Sequence, residues 1–389
     1  MLKNKIVILV FTVIILMCTA VCIEKARSSI NDRKILLIGI QKDQPYVTFS
    51  TRYGVRITDL FTMSSQIVGG NGVSMAVYPS KNGIRMGTLV FGRIIRIMPV
   101  ESGDLLVVGK KRYRDVALIQ LNRKGKLDAI NEVGIENYLY GVIPAEISSS
   151  WPIEALKAQA VAARTYAMQN VNHKHTKDGY DLCSSFCCQV YPGVINEALA
   201  TNKAVDITAG EGLFYGETLI TAYFHNSCGG STENVGNVWG TEKVPGYLRG
   251  VECKNCDAYP KQQWSTVYTG ELMSQRLTKK GYNIGKIVKV VIQKKSEIGR
   301  VIVLELTDNK GKTVSINSNH FRMAVGSNSV RSTMFTVNYK NGKFVFSGRG
   351  WGHGVGLCQW GALGLAKKGM GYKEILQFYY PGTGVKRCY

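Results

Sequence analysis

Gly141-Val-Ile-Pro-Ala-Glu146-Ile-Ser-Ser-Ser150-Trp-Pro-Ile-Glu-Ala-Leu-Lys-Ala-Gln-Ala160-Val-Ala-Ala-Arg-Thr-Tyr166 is the stretch where the chain changes its period. Upstream, short apolar or alternating runs are parted by Gly and Asn, the pattern of strands and turns. Downstream, Leu156, Ala160, Ala163 and Ala167 recur at helical spacing. Ser149 or Ser150 is suited to cap this helix and Pro152 to its first turn, so a helix is predicted from Trp151 to about His173. Its face is made of small residues, which lets another backbone approach closely. Glu146 is out of place in the apolar run ahead of the helix. A carboxyl in apolar surroundings keeps its proton to higher pH, as a general acid must. The N-terminus of the following helix would act in the opposite sense by favouring the anion. A capping or salt-bridged surface Glu is the plainer reading of the same residue.

Working outward, residues 34–125 read as a small β-rich region. Runs at 35–40, 46–49 and 74–78 are strands, and 105–108 with 116–120 look like a hairpin across Gly109–Arg114. Beyond the long helix, 212–224 reads as two strands around Gly216-Glu217. Residues 264–345 alternate β runs with a helix at 270–280 and another at 318–325. The predicted fold is α+β: mixed, β-rich, with a few helices and a binding cleft. The domain at 126–389 carries the chemistry.

At the N-terminus, Lys3 and Lys5 precede an almost unbroken apolar run from Ile6 to Ile23. Its length suits either a long secretory signal or a short membrane span. No Ala-x-Ala site follows, so residues 1–24 are read as an uncleaved signal-anchor with the positive end inside. Residues 25–33 are a polar linker. The rest of the chain would be extracytoplasmic at the cell membrane. Net charge is +22, from 49 Lys+Arg against 27 Asp+Glu, so anionic partners are expected. The basic residues are dispersed and no nucleic-acid-binding motif is present, which with the anchor argues against nucleic acid.

Of ten cysteines, eight follow the anchor. Outside the cell these are candidates for disulfides. Yet Cys183-Ser-Ser-Phe-Cys187-Cys188 is spaced tightly, with His173 and His175 nearby, and is read as metal thiolate ahead of disulfide. Cys253-Lys-Asn-Cys256 is open to either reading.

Gly348, Gly350, Gly352, Gly354 and Gly356 alternate with Arg349, Trp351, His353, Val355 and Leu357. If extended, one face of this segment has no side chains and something approaches the backbone there. The stripe is either a tightly packed bend of the core or the wall of a polar-aromatic cleft. Trp351, His353 and Gln359 together favour a cleft that holds a sugar chain.

These motifs together resemble the SpoIID/LytB family, whose type member is stage II sporulation protein D. The resemblance is carried by Gly141–Glu146, Glu154–Tyr166, Ser227-Cys-Gly-Gly-Ser-Thr-Glu233, Trp239, Gly348–Gly361 and Tyr372–Gly382, from about Asn131 to the end. It implies a lytic transglycosylase that cuts peptidoglycan between N-acetylmuramic acid and N-acetylglucosamine without water. It also implies a wall amidase as partner in sporulation and engulfment. Glu146 falls on the family's catalytic glutamate. Substrate contacts are expected from Arg349, Trp351, His353, Gln359, Ser227 and Glu233. Some members bind zinc, for which Cys183 and Cys188 fit the ligand pair and His175 is a further ligand. Cys187 stands where relatives often have His. One carboxylate suffices for such chemistry, whereas hydrolases usually need two; Glu136 and Glu233 are the candidates for a second. The rival reading is a non-catalytic peptidoglycan-binding enhancer of an amidase.

Overall fold

The computed structural model describes residues 34–389. The expected anchor and linker therefore lie outside the described residues. Among the described residues, no helix is long and apolar enough to cross a membrane. The chain divides into two compact units. One runs up to Ser148 and adds Asn170–Ala209 and Tyr389; the other comprises Ser149–Gln169 and Gly210–Cys388. Both mix strands and helices, as expected for α+β.

The first unit is built on two sheets. Seven strands order as Leu182–Cys183, Ile35–Gln44, Leu127–Gly134, Val116–Leu121, Ile94–Pro99, Val55–Asp59 and Ser65–Val68. All neighbours are antiparallel except Leu182–Cys183, which joins Ile35–Gln44 in parallel through Ile38 and Gly39. Alternate residues such as Leu36, Ile38, Val55, Ile57, Ile95 and Ile97 fill the core. The second sheet has six strands and contains Val47–Ser50 and Met75–Ser80.

The hairpin expected between 105–108 and 116–120 does not form. Leu106–Val108 pairs instead with Lys111–Tyr113, and Val116–Leu121 lies in the other sheet. Gly109, at φ 62°, turns the chain within two residues, and Asp115, at φ 64°, redirects it.

The apolar run that ends in Glu146 is itself a helix, Ile135–Glu146, with Pro144 inside its last turn. Gly141 and Pro144 are poor helix formers. Packing decides the matter: a Cβ at Gly141 would lie 2.7 Å from the Gly193 carbonyl and 2.8 Å from the Tyr191 ring. The helix ends as Ile147 N–H donates to the Ile143 carbonyl at 3.0 Å.

In the second unit the helix expected near 151–173 spans Ile153–Gln169. Its small face is buried as expected, against Glu211–Tyr215 and the helices Gln359–Lys367 and Tyr372–Tyr379. One apolar cluster surrounds it. Another fills a subregion made from Gln263–Tyr268, Ile287–Lys295, Val301–Asp308, Phe335–Lys340 and Lys343–Arg349, with helices Gly270–Thr278 and Ser318–Val325.

The glycine stripe is not extended beyond Arg349. Gly350, Gly352, Gly354 and Gly356 have φ of 80°, 114°, 87° and 69°, so alternate residues take a conformation that favours glycine. A Cβ at Gly356 would lie 2.1 Å from the Tyr223 carbonyl. Gly356→Ala is therefore expected to destabilise the fold by more than the roughly 1–3 kcal/mol of backbone strain alone. Gly281→Ala, at φ 88° with nothing within 4 Å, should show only the strain. Urea titration of both variants measures the difference.

Candidate functional site

In the first unit, Glu146 closes the C-terminal end of its helix, where the dipole field is negative. The field of its own helix thus has the opposite sign to that expected from the helix that follows. Its Oε1 accepts the Val190 N–H at 3.1 Å. Val190 belongs to a strap laid along the same helix. Gln189 accepts from the Tyr138 hydroxyl at 3.1 Å, and Tyr191 donates its hydroxyl to buried Asn131 at 2.8 Å. The Tyr138 and Tyr191 rings pack 4.8 Å apart. Glu136 sits ten residues earlier on the helix, roughly 15 Å along its axis. That exceeds the separation of paired hydrolase carboxylates, and Glu136 instead receives the Tyr389 hydroxyl.

The strap leads directly from the first cysteine group. His175, Cys183, Cys187 and Cys188 place one donor atom each within 4.8 Å of one another. His175 Nε2 lies 3.5 Å from Cys188 Sγ, while Nδ1 bonds Asp178 Oδ2 at 3.2 Å. A carboxylate behind an imidazole in this way fixes the tautomer a metal ligand needs. Tyr180 lies flat on Gly39, where a Cβ would be 2.7 Å from its ring, and His175 packs on Tyr180 at 4.9 Å. The Cys188 side chain donates to Cys183 and lowers its pKa to about 4, with Ser185 adding to the effect. Cys188 is raised correspondingly. All three cysteines are free thiols. The donor set, its spacing and the Asp178 support fit a tetrahedral thiolate-imidazole metal site. His173 is exposed and stands outside the group.

In the second unit, the glycine loop 350–356 crosses residues 223–230. Ser227 and Trp351 exchange backbone hydrogen bonds at 2.9 and 2.8 Å, and Phe224–His225 pairs in parallel with Leu357–Cys358. The crossing gathers an aromatic and imidazole group. Trp239 packs 4.7 Å from Tyr223 and 5.1 Å from His353, and His353 lies 5.4 Å from His225. Trp239 keeps 36% of its surface exposed, enough to offer a face. His353 Nδ1 accepts the Val355 N–H at 3.0 Å, so its proton is on Nε2. Exclusion of water, then Arg322 and Arg300, pushes its pKa down to about 3. His225 is also held neutral, chiefly by burial and then by His353. It donates Nδ1–H to the Val355 carbonyl at 3.1 Å, and its Nε2 has no partner among the described residues.

The other expected substrate residues fall in three settings. Trp351 is half-buried with Arg331 over its ring at 5.0 Å. Arg349 is exposed and faces a shallow groove with Trp264 and Lys295. Ser227, Glu233 and Gln359 are buried: Ser227 donates to Gln262 at 2.6 Å, and Glu233 accepts from Asn234 N–H and Asn237. Sequence reasoning did not single out the 189–191 strap, Asp178, Tyr223 or His225. The signals were present, since the strap follows Cys188 immediately and His225 stands two residues ahead of the Ser227–Glu233 motif.

Residues 123–215 match a family model described as stage II sporulation protein, and 236–356 match a domain of unknown function, DUF8618. An uncharacterised protein of Brachyspira hyodysenteriae is 33% identical over 88% of this chain and 87% of its own length. The amidase enhancer of Bacillus subtilis is 33% identical over 63% of this chain; the match spans 40% of that protein. Stage II sporulation protein D of Bacillus subtilis is 27% identical over 67% of this chain and 76% of its own length.

Because His353 is neutral when folded, its contribution to stability is complete above the ordinary value of 6.5 and is lost as pH falls toward about 3. Acidification through that window should destabilise the protein, and His353→Gln should flatten the dependence. Chemical denaturation at stepped pH reads the slope.

Proposed function

The chain belongs to the SpoIID/LytB family, and from that premise we propose that it is a lytic transglycosylase of the bacterial cell wall with Glu146 as its acid and base. A cell-wall role follows from the family; the catalytic step is our reading. The observation that carries it is the placement of the Glu146 carboxyl. It ends a helix, is half-buried, and is held through one oxygen by the Val190 N–H. A reacting carboxyl must be fixed in direction.

The chemistry then runs on one carboxyl. Protonated Glu146 donates to the glycosidic oxygen as the bond from the muramic acid anomeric carbon breaks. The carboxylate so formed takes the proton from that sugar's own 6-hydroxyl, whose oxygen closes on the anomeric carbon. Holding nucleophile and electrophile in one sugar gives the proximity advantage of an intramolecular reaction. In the second unit, the exposed Trp239 face with Tyr223, His353 and Trp351 is proposed to stack on saccharide, and Arg349 to meet anionic groups of the wall. Arg349, Gln359, Ser227 and Glu233 keep their proposed place in substrate binding. For the last three that means supporting the loops, since each is buried.

Zinc at His175, Cys183, Cys187 and Cys188 would be structural. It would hold the segment that runs into Val190 and so fix the donor to Glu146. A membrane anchor outside the described residues and a wall amidase as partner belong to the same proposal, with peptidoglycan strands free of stem peptides as substrate. The amidase enhancer relative supports a second reading, a wall-binding enhancer without catalysis.

Glu146→Gln should keep the fold and lower glycan cleavage by about 10²–10⁴-fold, the usual contribution of a positioned acid–base group. Mass spectrometry of peptidoglycan digests checks it. Products ending in 1,6-anhydromuramic acid with the wild type only are expected, whereas binding without cleavage by the wild type would select the enhancer reading. Asp178→Asn should weaken zinc at the His175 group by about 10–100-fold, read by competition with a chelating dye.

A further inference from the structure

A second cysteine group stands apart from everything used above. Cys228, Cys253, Cys256 and Cys358 are at most 1% exposed, and their four Sγ atoms all lie within 4.8 Å of one another. All four are free thiols. Cys228 and Cys256 have their sulfurs 3.5 Å apart, far beyond a disulfide bond of about 2.05 Å. A metal–sulfur bond of about 2.3 Å gives tetrahedral sulfur–sulfur edges of about 3.8 Å, which this spacing matches. We propose that these four cysteines bind a single zinc ion as a buried tetrathiolate.

The surroundings are those of thiolates. The Cys228 N–H and the Gly361 N–H both donate to Cys358 Sγ, at 3.2 and 3.4 Å. Gln262 Nε2 donates to Cys256 Sγ at 3.3 Å, and the Tyr379 hydroxyl lies 3.0 Å from Cys253 Sγ. Cys358 also caps the Gln359–Lys367 helix, whose N-terminal dipole favours negative charge. Between Cys253 and Cys256, Lys254 takes φ 46°, which folds the pair into a tight knuckle. That knuckle needs bare backbone opposite it. A Cβ at Gly361 would lie 2.8 Å from Cys253 Sγ, and one at Gly364 would lie 2.1 Å from the Asn255 carbonyl.

Charge gives an independent argument. Arg300 is 1% exposed and belongs to no ion pair among the described residues. It donates to the Cys228 carbonyl and to Thr333 Oγ1, and its Nε has no partner. A buried guanidinium needs compensating negative charge. Four thiolates on a divalent ion carry a net charge of −2, next to the Arg300 contact. Four neutral thiols supply none and would leave the compensation to buried Glu233. A multi-iron cluster would place sulfide between its metals and spread the thiolates further than these. Zinc fits a closed, redox-silent site of four cysteines with no open position. The ion would tie together residues 224–230, the 253–256 knuckle and the start of the Gln359–Lys367 helix, the three segments that frame the His225–His353 crossing. The inference does not depend on the transglycosylase reading.

The test uses the full chain with Cys183→Ser, Cys187→Ser and Cys188→Ser, which removes the first group's three thiols. Purified anaerobically, it should retain one zinc per chain by elemental analysis. Cobalt exchanged for the zinc should show the intense visible bands of a tetrahedral thiolate complex. Removing the metal should expose four further thiols to a thiol reagent and lower the melting temperature. Adding Cys256→Ser should abolish the zinc. If that variant does not fold, the cobalt spectrum and thiol count of the parent still decide. A disulfide between any of the four, iron in place of zinc, or no metal would each overturn the proposal.

Discussion

Close contact between two stretches of backbone governs the second unit. Residues 350–356 pass so near 223–229 that side chains are excluded at alternate positions. Added Cβ atoms at Gly350, Gly352 and Gly356 would come within 2.7 Å of Ser227 O, His225 Cβ and Tyr223 O. The same crossing brings His353 beside His225 and Trp239. Exclusion of water around them keeps both imidazoles neutral. The polar-aromatic surface is thus a consequence of glycine placement, with the aromatic residues supplying its chemistry.

The first unit solves a different problem, which is how to aim one carboxyl. A helix end alone leaves the Glu146 side chain several rotamers. The strap 189–191 narrows them because it is fixed on both sides of Val190, by Gln189 to Tyr138 and by Tyr191 to Asn131. Upstream, the strap emerges from Cys188, whose own position follows from Cys183 on the sheet edge and from His175 on Tyr180. Sheet, cysteine group, strap and carboxyl form one chain of support, which is how precision reaches a residue outside the sheet.

Legibility in the sequence followed the range of the cause. Strands at 35–40, 46–49 and 74–78 were readable because alternation along the strand is local. The 153–169 helix was readable from its serines, Pro152 and spaced alanines. The 135–146 helix was not, because Gly141 and Pro144 argue against it and the reason for Gly141 is Gly193, fifty-two residues on in the chain. The hairpin error at 105–120 came from ignoring how sharply Gly109 can turn. The glycine stripe was recognised as a place of close approach, but spacing of two suggested a strand where positive φ makes a looped crossing. Cys183 and Cys188 were readable as neighbours. Cys228 and Cys358, 130 residues apart, could be joined only by the fold.

That separation explains why thiols belong at this crossing. Ordering glycine removes more backbone entropy than ordering alanine, by roughly 0.5–1 kcal/mol per residue. The five glycines from 348 to 356 therefore add about 2.5–5 kcal/mol to the cost of ordering the loop. Apolar burial compensates poorly, since the contacts at Gly350 and Gly356 are largely with backbone and that at Gly352 is with the His225 side chain. A cross-link from side chains outside the glycine run can supply what the run itself lacks. A disulfide would join only two of the three segments. A zinc tetrathiolate joins all three, and binding free energies of about 10–16 kcal/mol for structural zinc exceed the deficit. Crowding by bare backbone and closure by buried thiols are then two halves of one design: the glycines allow the segments to touch, and the thiols keep them there.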